Sequence, residues 1–261
     1  MKVTLIGTGR VAFHFGHALQ RAGHTVEGIV GRNTAHTTTL AADLNVPAFT
    51  MNDPLPPCDV IMIAVSDDAI SEVATKLPIN DAVVIHTSGA SELGRLEPHP
   101  HRAVLWPVMT LSPGAPADLR EVPLVTDANT SHARDVVYAL ATSLSDMVRA
   151  LVHEDRELVH AAAAISTNFP LHLLDRAQTL LSERGIDPGL ILPSFMAMVE
   201  KAGSMGPHDA LTGPARRGDL GTVRRHIDRL THDPELRAAY ALISSSILRA
   251  YGHPDHEQFD L

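Results

Sequence analysis

Gly7, Gly9 and Ala12 stand in the spacing G-x-G-x-x-A, directly after the apolar run Val3–Ile6. That spacing suits the holding of phosphates. The first glycine permits a tight turn, the second lets a phosphate approach the backbone, and a small third residue lets the next helix pack closely. Thr8, Arg10 and Val11 fill the turn and open the helix, whose free N–H groups and dipole favour an anion. A second apolar run, Thr25–Val30, ends in Arg32, Asn33 and Thr34. In a dinucleotide site an acid at this tip holds a ribose 2′-hydroxyl, whereas an arginine accommodates a 2′-phosphate. Glu27 lies inside the run rather than at its tip. The pattern therefore favours NADP(H), with NAD as the alternative; the competing view of Arg32 is a solvated loop residue.

Two further run ends should meet the same crevice, because ligands of such sheets bind beyond the carboxyl ends of the strands. The first presents Val65, Ser66 and Asp67, expected near the nicotinamide-side ribose, with Asp68 as an alternative helix cap. The second presents His86, Thr87, Ser88 and Gly89. There Ser88 is a candidate substrate contact, and His86 is either a proton-exchanging group or a structural histidine. Farther along, His160, Ala164 and Asn168 recur every fourth residue and should share one helix face. Pro170 then removes an N–H and should kink that helix beside Asn168. His160 and Asn168 are the first candidates for substrate contact or proton transfer, since imidazole titrates near neutrality. Lys201 and the loop containing Thr212 and Arg216 offer donors for a carboxylate or phosphate. The 16 histidines include His99 and His101, but Pro100 breaks any helical ligand spacing, so no metal is expected.

The elements that must position these residues change character along the chain. Through residue 151, β-rich runs alternate with helical patterns, which implies βαβ units and a mainly parallel sheet. From residue 152 the strand signals stop, and helices are expected at about 153–169, 171–184, 188–203, 219–230 and 234–251, with Asp187, Asp219 and Asp233 as caps. The fold class is therefore α/β: a Rossmann-type domain over 1–151, followed by an all-helical domain over 152–261 for substrate binding and dimerisation. Length agrees, since 261 residues at about 150 per domain suggest more than one unit. With 30 acidic against 21 basic residues the formal charge is −9, which argues against a nucleic-acid partner. Cys58 is the only cysteine, excluding an internal disulfide. No run approaches the ~18 apolar residues of a membrane span, and the N-terminus lacks a signal-peptide core, so a cytoplasmic location is expected.

The order of motifs resembles the bacterial family that joins a Rossmann-like domain to domain of unknown function 2520. The resemblance spans nearly the whole chain. It is carried by Gly7–Ala12, His86-Thr87-Ser88-Gly89, Trp106–Ser112, His160 through Asn168-Phe169, Lys201, and Thr212–Arg216 with Gly218, Asp219 and His226. In the third landmark Trp106, Met109 and Leu111 replace the tyrosine, glutamine and phenylalanine of the family pattern. More distantly the chain is similar to pyrroline-5-carboxylate reductase and the 6-phosphogluconate dehydrogenase-like superfamily. That likeness implies reduction of a C=N or C=O group with NAD(P)H and a helical domain that forms dimers. The β-hydroxyacid dehydrogenases of that superfamily carry lysine four residues before the asparagine, where this sequence has Ala164.

The expectation is thus an oxidoreductase that uses NADP(H) on a small carbonyl, imine or hydroxy compound and works as a homodimer. The alternative is a sensor or scaffold that binds the dinucleotide without turning it over. Absence of the superfamily lysine favours the alternative.

Overall fold

The computed structural model describes residues 1–254. Contacts divide the chain into two compact units, Met1–Ser166 and Thr167–Leu261. The division falls after the change of secondary structure near residue 151, because the first long helix of the helical half packs with the sheet.

The first unit contains β1 (Lys2–Ile6), α1 (Arg10–Arg21), β2 (Thr25–Val30), α2 (Thr34–Leu44), β3 (Ala48–Phe49), β4 (Val60–Ile63) and α3 (Ile70–Lys76). It continues through β5 (Val83–His86), β6 (Arg102–Pro107), β7 (Leu124–Ala128), α4 (Ser131–Leu144), β8 (Val148–Ala150) and α5 (His153–Ala163). The strands form one sheet in the order β3-β2-β1-β4-β5-β6-β7-β8. Every neighbouring pair is parallel except β6 and β7. The strand order reverses between β1 and β4, which opens a crevice at their carboxyl ends.

Alternation within each strand feeds two cores. Val3, Leu5, Val60, Met62, Val83 and Ile85 face one side, with Phe15 and Leu19 of α1 and Leu140 of α4. Ile6, Ile61, Ile63 and Val84 face the other, with Ile70 and Ala74 of α3. Burial on both faces explains why these strands read as continuous apolar runs. β3 was not anticipated: it is only two residues long and pairs with the end of β2, too short to leave a periodic signal.

The helix expected over 153–169 is interrupted. After α5 the backbone makes a π-helical turn, Ala164–Asn168, and then resumes as α6 (Phe169–Ser182), with Pro170 in its first turn. The proline accounts for the change of pitch, since it cannot donate to the preceding turn. A wider turn also shifts the helical phase, so Asn168 leaves the regular fourth-residue face that begins at His160.

The second unit continues with α7 (Leu192–Met205), α8 (Pro207–Ala210), α9 (Leu220–Arg229) and α10 (Pro234–Ala250). The expected caps form: Asp219 accepts from Thr222 N–H at 3.0 Å, and Asp233 from Leu236 N–H at 3.1 Å. Asp187 caps a short 3-10 turn, Pro188–Ile191, rather than α7 itself. The core is small, built from Ala215, Val223, Ile227, Ala241 and Leu248. Neither α6 nor α7 buries a single residue in this chain.

Candidate functional site

The glycine-rich turn is built by backbone contacts on both sides. Gly7 N–H donates to the Val30 carbonyl at 2.8 Å, and Ala64 N–H to the Ile6 carbonyl at 2.7 Å. Gly7 has φ +126°, and a Cβ there would lie 2.2 Å from the Ala64 oxygen. Only glycine fits such a position. By contrast, a Cβ on Gly9 would meet nothing within 4 Å. Gly9 stands at the N-cap of α1 and has no side chain to occupy the first N–H groups of the helix, which leaves them free at the turn, as an anion site requires.

A cleft of about 1030 Å³ lies over this turn. Its lining includes Gly7, Thr8, Gly9, Arg10, Val11, Arg32, Asn33, Val65 and Ser66. Three further residues from the cofactor set stand elsewhere. Ala12 is buried in the core under α1, where its small size serves packing. Thr34 and Asp67 are exposed and do not line the cleft. Asn33 spends its side-chain oxygen on capping α2, accepting from His36 N–H at 3.1 Å. Glu27 pairs with Lys2 at 3.1 Å and is absent from the cleft wall.

His36, Glu72 and Lys76 also line the cleft beside Arg32, and sequence reasoning missed all three. Their contribution depends on how α2 and α3 are oriented, not on any motif. Glu72 and Lys76 pair at 2.6 Å, which leaves Arg32 and His36 as donors not occupied by that pair.

The inner end of the cleft is formed by Thr87, Trp106, Pro107, Met109 and Leu111. Trp106 is tightly seated: a Cβ on Gly89 would sit 2.5 Å from its ring. His160 meets Trp106 edge-on, with centroids 5.6 Å apart at 77°. His86 and Ser88, by contrast, are buried and do not line the cleft. Ser88 Oγ accepts from Ala90 and Ser91 N–H at 3.2 and 3.1 Å, holding the turn. His86 Nδ1 accepts from Ser88 N–H at 3.2 Å. A strand tip can place polar residues inward as readily as into the crevice, and the sequence pattern does not distinguish the two.

Burial, and then the Arg156 guanidinium nearby, push the His86 pKa down to about 4. The ring is neutral in the folded state at neutral pH, while the unfolded chain protonates near ~6.5. Stability is therefore fully retained above about pH 6.5 and is lost as pH falls towards 4. We expect His86→Gln to remove roughly 3 kcal/mol of that loss, read by urea unfolding at pH steps across the window. An unchanged slope in the variant would refute the assignment.

Arg156 was missed by sequence reasoning, because a charged residue on a polar helix gives no sign of burial. It is 0% exposed. Its Nη1 donates to Asp127 Oδ2 at 2.8 Å, its Nε to the Gly89 carbonyl at 3.1 Å, and its Nη2 to the Ser91 carbonyl at 2.6 Å.

In the second unit, Asn168 and Lys201 are exposed, and Asn168 Oδ1 accepts from Thr167 at 3.2 Å. Thr212 is exposed in its loop. Arg216 is folded back, with its guanidinium 3.9 Å above the Tyr251 ring. His253 Nε2 lies 3.1 Å from the Arg216 carbonyl. His99 bonds to the Ala74 carbonyl and His101 to Thr130. Among the described residues no helix is long and apolar enough to cross a membrane.

Comparison with known proteins agrees with this architecture. Residues 1–112 match the Rossmann-like domain model, and residues 122–247 match domain of unknown function DUF2520. The second match begins just before β7, inside the first compact unit. No curated protein sequence matches the chain. Among solved structures, a candidate NADP oxidoreductase of Bacteroides fragilis, BF3122, is 26% identical, covering 95% of this chain and 98% of that one at TM-score 0.85. Protein TM1727 of Thermotoga maritima is 22% identical, over 96% and 98% of the two chains, at TM-score 0.77. A 1-pyrroline-5-carboxylate reductase of Streptococcus pyogenes shares the fold at 16% identity and TM-score 0.63, over 95% and 98%. With both models matched in sequence along one chain, this protein joins a Rossmann-like domain to a DUF2520 domain.

Proposed function

We propose that the protein is an NADP(H)-dependent oxidoreductase that moves hydride to or from a small carbonyl, imine or hydroxy compound. One observation carries the reading: a large cleft over a glycine turn whose second glycine leaves open space at a helix N-terminus. The residues present suit a dinucleotide. The Gly7–Val11 backbone would hold the pyrophosphate, and Arg32 a 2′-phosphate, with His36 alongside. Thr87 and Trp106 would wall the opposite end. When bound, the dinucleotide supplies the hydride, and the protein's part is orientation and exclusion of water. His160 and Asn168 are assigned to substrate contact or proton transfer, and Lys201, Thr212 and Arg216 to holding a substrate anion. His86 and Ser88 support the inner loop instead. The description of the Bacteroides fragilis relative as an NADP oxidoreductase supports the cofactor.

Fluorescence titration with NADPH and NADH tests the reading, and binding of neither would overturn it. Arg32→Ala should weaken NADPH about tenfold, the value of one charge-assisted contact, and leave NADH within about twofold. Oxidation of NADPH can then be followed against keto acids, imines and aldehydes, with Asn168→Ala expected to abolish turnover. Tight binding without turnover across that panel would favour a sensor or scaffold, the reading that Ala164 in place of lysine supports.

The homodimer belongs to the same proposal. Phe169, Leu171, Leu192, Met196 and Val199 are all exposed on α6 and α7. Helices this apolar with no buried residue need a covering surface, and a second copy would bury both at once. Sedimentation should give twice the chain mass, and Met196→Glu should shift it towards the monomer. A monomeric wild type at micromolar concentration would refute the dimer.

A further inference from the structure

Arg156 belongs to no cofactor motif, yet it is the bulkiest of the fully buried side chains. A guanidinium is costly to bury unless its donors are paired. Here they reach Asp127 on β7 and the carbonyls of Gly89 and Ser91, and Nη2 also lies 3.2 Å from His153 Nδ1. Two of these partners are backbone atoms of the loop that follows β5. That loop carries Thr87 to the cleft and presses Gly89 against Trp106. On α5, His160 follows Arg156 by one turn, on the same side, and packs against the same indole. An apolar residue of similar volume would anchor α5 without the desolvation cost. What it could not do is fix the direction of two carbonyls and a carboxylate together, which a planar five-donor fork can.

We propose that Arg156 is a positioning residue for the inner end of the cleft. It sets Thr87 and Trp106 through the Gly89 and Ser91 carbonyls, and His160 through α5. The proposal rests on the reading of the cleft as a dinucleotide site. It predicts that Arg156 governs the nicotinamide half of binding and leaves the adenine half alone, since no hydrogen bond or ion pair of this network involves Gly7–Val11 or Arg32.

Trp106 is the only tryptophan in the sequence, so indole emission reads this place alone. Energy transfer from Trp106 to bound NADPH reports how the two rings are placed. Titrations of wild type, Arg156→Met and Arg156→Lys would use NADPH and 2′,5′-ADP, which lacks the nicotinamide half. If NADH binds more tightly than NADPH, the pair becomes NADH and AMP. In Arg156→Met the adenine probe should bind within about twofold of wild type, while the whole dinucleotide weakens about tenfold and energy transfer per bound molecule falls. Arg156→Lys keeps a buried cation but cannot span the three acceptors, so the same split should persist in a variant that retains the fold. Parallel losses for both probes, or no change in either, would overturn the positioning role while the dinucleotide reading stands. Wild-type protein that binds neither probe would overturn the reading and the role with it.

Discussion

Gly7→Ala should lose dinucleotide binding by about 100-fold and destabilise the first unit at the same time. The new Cβ would lie 2.2 Å from the Ala64 carbonyl oxygen and 2.8 Å from its carbon, both backbone atoms that cannot swing aside. The φ of +126° is a second penalty, because L-residues avoid it. Relief requires β1 and the end of β4 to part, which moves the N-terminus of α1 away from the phosphates. Loss of one or two charge-assisted N–H contacts, each worth about 1.5–3 kcal/mol, accounts for the 100-fold figure. NADPH titration checks the affinity, and a urea midpoint checks the fold. Gly9→Ala is the informative control, since its Cβ enters open space. It should leave stability nearly unchanged and weaken binding alone. Equal stability losses at both glycines would contradict the distinction drawn between them.

Asp127→Ala should cost about 3–5 kcal/mol of stability, the usual result of stripping one member from a buried ion pair. Arg156 would remain buried with its Nη1 donor unpaired, because Asp127 Oδ2 at 2.8 Å is its only carboxylate within ion-pair distance among the described residues. The carboxylate also accepts from Ala128 N–H through Oδ1 at 2.9 Å, so β7 loosens as well. A double variant, Asp127→Leu with Arg156→Met, removes both charges and should recover part of the loss. Chemical denaturation of the three variants separates these outcomes. A loss below about 1 kcal/mol in Asp127→Ala would place the pair among ordinary surface contacts.

Much of both units was legible in the sequence because local chemistry dictated it. The Gly7–Ala12 turn carries its own geometric requirement, and Asp219 and Asp233 announce helix starts through a side-chain oxygen. β1, β2, β4 and β5 read as apolar runs because both faces of the sheet are covered. Asn33 shows where such reading stops. Its place at the strand tip was visible, but its use as the cap of α2 was not. The π-helical turn was legible only as a disturbance at Pro170, since a sequence states that a hydrogen bond is lost without stating how the backbone recovers it.

The site divides along the same line. By itself the sequence determined the glycine-rich turn, the arginine at the second strand tip and the order of sheet and helices, because each depends on residues adjacent in the chain. Tertiary structure decided that His86 and Ser88 turn inward and that Lys76 and Glu72 reach the cleft wall. It also decided that Arg156, the most polar residue of α5, is the one buried completely. The reason is that burial depends on partners distant in sequence. Arg156 is bonded to residues 29, 65 and 67 positions away, and no local pattern can report an acceptor that only folding brings near.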